Sequence, residues 1–111
     1  MIIQNTSENI AHKLEQLAEI YRQGQASEIM LKTLHKLFGY ETETCKSQIR
    51  QLQSDLSDFE KQYGMSSDIF WQNFQQGKTD DRMDFVEWAS LVQMVERLEK
   101  RLFLLTSERN I

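Results

Sequence analysis

Apolar residues recur along the chain at alternating spacings of three and four, the mark of helices that bury one face. The clearest run is Cys45, Ile49, Leu52, Leu56, Phe59 and Tyr63, a heptad seam with polar residues at the other positions. At 1.5 Å of rise per residue, Thr42 to Tyr63 extends roughly 33 Å. A second seam, Trp88, Leu91, Val95, Leu98, Leu102 and Leu105, predicts a long last helix over residues 84–107, its face widened by Phe85 and Val92. Between the seams, Ile69, Phe70, Trp71 and Phe74 predict a short helix at 66–76. It is too short to hold alone and must be anchored by packing.

Upstream, Ile10, Leu14, Leu17 and Tyr21 define one face of a first helix within residues 1–25. Thr6 or Ser7 is its expected N-cap, with Glu8 in the opening turn. Met1, Ile2 and Ile3 are too few to classify. From Ala26 or Ser27 a broad apolar face resumes with Ile29, Met30, Leu31, Leu34, Leu37 and Phe38. Gly39 then predicts a kink or short break in the helix over 26–63, because an interior glycine costs ~1 kcal/mol relative to alanine.

Glycines and caps punctuate the pattern. Gly24, Gly64 and Gly77 each fall where a helix should stop. Met65 follows Gly64 as the hydrophobic contact of such a stop. Ser66 or Ser67 is placed to cap the short helix, and Asp84-Phe85-Val86-Glu87 has capping-box spacing with Asp in the capping role. The connection from Gly64 to Met83 lets the last helix return antiparallel along the long middle one. The expected fold is all-α: one helical domain built on an antiparallel, coiled-coil-like hairpin, with a short connecting helix and one or two N-terminal helices.

Composition supports this picture. The 111 residues include no proline and four glycines, too few turn formers for a sandwich or barrel. The net charge of −4 lacks the basic footprint of a stand-alone nucleic-acid binder. No apolar run approaches the ~20 residues of a membrane span, and the first residues do not read as a signal peptide, so a cytoplasmic location is the expectation. Cys45 has no intrachain partner and falls on a seam, which reads as a buried thiol.

No catalytic constellation, metal site or cofactor is expected. His12 and His35 each lack a second ligand at zinc spacing. Gly77-Lys78-Thr79 is no phosphate loop, since Gln72 stands where the upstream glycine belongs. The cluster Asp80, Asp81, Asp84 and Glu87 lacks the alternating ligands and central glycine of a calcium loop. It reads first as turn aspartates plus a helix cap, and next as a contact for a basic partner. As a helix-turn-helix, the last helix would present Asp84 and Glu87 to phosphates, which argues against DNA binding.

The stretch from Phe59 to Leu102 resembles a family of small helical proteins from bacteria and archaea, cyanobacteria among them. The resemblance rests on Phe59, Glu60, Tyr63, Gly64, Met65, Ser66, Phe70, Phe74 and Gly77, then Asp81, Asp84, Phe85, Glu87 and Trp88. It covers about residues 30–105. Thr79 and Asp80 stand where the family often carries a second glycine. Members look like the antitoxin half of toxin–antitoxin operons. The resemblance implies a non-enzymatic module that covers a cognate toxin, an RNase in many such operons, with a helix face. Asp80, Asp81, Asp84 and Glu87 would contact the partner, in a homodimer or hetero-oligomer. The alternative expectation is a self-associating coiled-coil structural or adaptor protein. Tyr63, Gly64, Met65, Ser66, Phe70, Phe74, Phe85 and Trp88 also have a purely structural reading, as a helix stop, a helix start and the packing of a bend.

Overall fold

Four helices form in chain order: α1 Ile3–Arg22, α2 Glu28–Tyr63, α3 Ser67–Gln75 and α4 Met83–Thr106. The computed structural model describes residues 3–108, with side chains from residue 8 onward. The chain is all-helical over that range. Its contacts divide it into two compact units, Met1–Leu37 and Phe38–Ile111.

In the first unit, α1 begins at Ile3, so Thr6 and Ser7 lie inside the helix rather than capping it. Met1 and Ile2 lie outside the described residues. The helix ends at a Schellman turn: the Gln25 N–H donates to the Ile20 carbonyl at 3.0 Å and the Gly24 N–H to Tyr21 at 2.9 Å. Gly24 sits at φ +70°, a conformation that costs glycine little and a β-carbon residue much. Ser27 then caps α2, its Oγ accepting from the Met30 N–H at 3.1 Å.

α2 is a continuous helix through Gly39, so the break that the sequence offered there does not occur. Gly39 keeps a negative φ. The modest glycine cost is absorbed by a 36-residue helix whose hydrogen-bond ladder continues on both sides.

In the second unit, the C-terminal part of α2 and α4 form the expected antiparallel hairpin. Arg101 pairs with Glu41 at 2.7 Å, 60 residues apart in sequence. The Cys45 thiol donates to the Leu98 carbonyl at 3.2 Å, 53 residues apart. Tyr63 donates to Asp84 across only 21 residues. The separations shrink toward the bend, as an antiparallel register requires. Along the seam Cys45, Ile49 and Val95 are buried. Leu52, Leu56, Phe59, Leu91, Leu98, Leu102 and Leu105 are half-buried, because two helices cover only one side of a stripe.

The best-packed region is the bend. Phe70, Phe85, Trp88 and Ala89 are buried there, with Leu56, Phe59, Tyr63, Met65, Trp71, Phe74 and Val92 packed around them. Trp88 and Phe70 have no exposed surface, whereas Trp71 is half-buried. At ~1.5–3 kcal/mol for each large side chain taken from water, this cluster anchors a nine-residue helix that could not form alone.

Candidate functional site

The bend assembles from three helix ends. At Tyr63 α2 stops. Gly64, at φ +66°, returns its N–H to the Glu60 carbonyl at 2.8 Å, and the chain leaves in a new direction. Ser66 caps α3, its Oγ accepting from the Ile69 N–H at 3.2 Å. Glu60 adds a second cap: its carboxylate accepts from the Ser67 N–H at 2.8 Å, an anion at the positive end of a helix. Ser67 Oγ in turn accepts from Trp88 Nε1 at 3.0 Å, so the buried indole keeps its hydrogen bond. Phe59 stacks on Trp88 at 5.6 Å and Tyr63 meets Phe85 at 5.0 Å. Phe74 closes the far side against Phe70 at 5.6 Å.

The acidic cluster does not act as one group. Asp80 is held by Arg82, whose Nε and guanidinium nitrogen donate to its two oxygens at 2.9 and 2.8 Å. This contact lowers the Asp80 pKa and raises that of Arg82. The same guanidinium lies over Phe85, 4.7 Å from the ring centroid.

Asp84 has a different role from the cap expected of it. The N-cap of α4 is Arg82, with no side-chain hydrogen bond, and Asp84 lies within the first turn. Its carboxylate accepts from the Tyr63 hydroxyl and from Gln62 Nε2 at 3.3 Å. Tertiary partners on α2 compete successfully with the local backbone for this carboxylate. The hydrogen bond to Asp84, followed by burial, pushes the Tyr63 pKa above its usual value.

Asp81 and Glu87 remain. Both are exposed, and no hydrogen bond or ion pair among the described side chains engages either. Glu87 opens onto a hollow of about 310 Å³ between α2 and α4, with Asp55 and Asp58 on the opposite wall and Phe59 and Leu91 in its lining. Asp55, Asp58 and Gln62 follow one another at spacings of three and four, which places them on one face of α2 beside the seam. The hollow is therefore a mostly polar surface, in which three carboxylates and Gln62 surround Phe59 and Leu91.

Glu60, Gln62, Arg82, Asp55 and Asp58 were not assigned these roles from the sequence. The spacing of the last two and the Asp-x-Arg string at 80–82 were the available signals. Among the described residues, no three His, Cys, Asp or Glu side chains converge in metal-binding geometry. No described helix is long and apolar enough to cross a membrane.

Comparison with protein-family models, curated proteins and solved structures finds no match to this chain.

Proposed function

We propose that the chain is an antitoxin-like binding module that neutralises a cognate toxin through the face of the hairpin beside its bend. One observation carries this reading. Asp80 is paired with Arg82 and Asp84 with Tyr63, while no described side chain engages Asp81 or Glu87, the latter on the rim of the hollow with Asp55 and Asp58. A lysine or arginine from a partner would lay its stem on Phe59 and Leu91 and bring its charge to the three carboxylates. A basic, RNA-binding toxin presents such side chains, and opposite charge speeds encounter as well as favouring contact. The resemblance of residues 59–102 to antitoxin-like proteins supports the same class of partner.

The test is co-expression with the product of the adjacent gene, followed by a pull-down and a growth assay. The wild-type chain is expected to capture the partner and relieve its toxicity. Asp58→Lys with Glu87→Lys should weaken capture at least ~10-fold, equivalent to about 1.4 kcal/mol, with helicity unchanged. No complex with the wild type, or full affinity in the double variant, overturns the proposal.

A further inference from the structure

We infer that the N-terminal helix pair, α1 with the opening of α2, is a homodimerisation element whose occupant is the same element of a second copy. The inference is independent of the proposed partner at the bend.

The first unit lacks a core. From residue 8 to residue 37 no side chain is buried. Leu17, Met30 and Leu34 are only half-buried along the seam. On the same stripe Ile10, Leu14 and Tyr21 are 56%, 57% and 62% exposed, and Leu31 and Leu37 are 41% and 50% exposed. Fewer than about 40 residues rarely bury enough surface to stand alone without help. With on the order of 100 Å² on each of the five exposed side chains, and the remaining exposed parts of Leu17, Met30 and Leu34 added, the stripe offers about 600 Å² per chain, the lower bound of what each partner contributes to a stable interface.

Charge selects the occupant. The described and flanking residues 1–37 contain Glu8, Glu15, Glu19 and Glu28 against Lys13, Arg22, Lys32 and Lys36, a net charge of zero. The chain's whole net charge of −4 therefore resides in residues 38–111. Two copies of the N-terminal element meet without net repulsion, unlike two copies of the hairpin. Within the element α1 carries an excess of one negative charge and the opening of α2 an excess of one positive charge. A two-fold arrangement that sets α1 of one copy on α2 of the other pairs opposite signs at both symmetric contacts. Four helices then enclose a stripe that two leave open.

Sedimentation equilibrium of the full chain on the order of 10 µM is expected to give twice the 13.2 kDa chain mass. Ile10→Asp with Leu14→Asp should return it to 13.2 kDa, while emission from Trp71 and Trp88 reports an intact hairpin. Glu87→Lys, which addresses the bend, should leave the dimer unchanged. A second measurement needs no variant: on dilution of the wild type, amides of residues 8–37 should lose hydrogen-exchange protection while those of 45–63 and 84–105 keep theirs. A monomeric wild type, a double variant that stays dimeric, or protection of 8–37 that is independent of concentration overturns the inference. The last result would mean that the stripe is covered within one chain or by a different protein.

Discussion

Phe70 of α3 and Trp88 of α4 stack with parallel rings, their centroids 4.0 Å apart and neither exposed. The contact joins the connecting helix to the return helix, and Trp88 also donates to Ser67 at the start of α3. Stack and hydrogen bond together fix where α3 lies.

Trp88→Ala should therefore cost about 3–5 kcal/mol, as large aromatic deletions in packed cores do. Trp88→Phe keeps most of the stack but loses the indole N–H, leaving Ser67 without its donor. It should cost less, with about 1 kcal/mol arising from the hydrogen bond. Urea unfolding followed by circular dichroism measures both. Equal costs would show that the ring contributes little beyond its hydrogen bond.

The glycines should respond with opposite signs. Gly39 lies inside α2 with nothing within 4 Å of an added Cβ and a helical backbone, so Gly39→Ala should raise stability by about 0.5–1 kcal/mol. Gly64 also has open space around it but sits at φ +66°, so Gly64→Ala should lower stability by about 1–2 kcal/mol. Thermal melts of the two variants decide the matter. The same sign in both would contradict the backbone account.

Tyr63 gives an alkaline signature. Its pKa is raised above the usual 10.0, first by the Asp84 hydrogen bond and then by burial. A phenol held protonated in the folded state contributes stability that is fully present below its unfolded pKa and lost as pH rises through the folded value. In a spectrophotometric titration Tyr63 should ionise above the usual tyrosine range. Tyr63→Phe should abolish that late component and the fall in stability near and above pH 10 that accompanies it. A late component that survives the substitution would show that it does not arise from Tyr63.

Much of the bend was legible in the sequence. Gly64, Ser66 and Gly77 act locally, through backbone conformation and the donors at a helix start, so their spacing announced the stops and starts. Met65 packs where a hydrophobic contact after a glycine stop belongs. Asp84 was misassigned for the converse reason: its local spacing fits a cap, but Tyr63 and Gln62 reach it from a helix 21 and 22 residues away. The candidate contact surface was read only in part, because Asp55 and Asp58 lie off the apolar seam and acquire meaning only opposite Glu87.

By itself the sequence determined the helices, their seams and the ends of most of them, since periodicity and capping depend on neighbours three or four residues apart. It also made an antiparallel hairpin the expectation, since the connection lets the last helix return along the middle one, and the contacts from Arg101–Glu41 to Tyr63–Asp84 decided it. The tertiary structure decided which polar groups the fold consumes. Arg82 binds Asp80 and Tyr63 binds Asp84, while Glu60 and Trp88 meet at Ser67. The pairing of Asp80 with Arg82 is local, two residues apart, but the others depend on how α3 and α4 dock against α2, and that docking is what engages Asp84 and leaves Glu87 without a described partner.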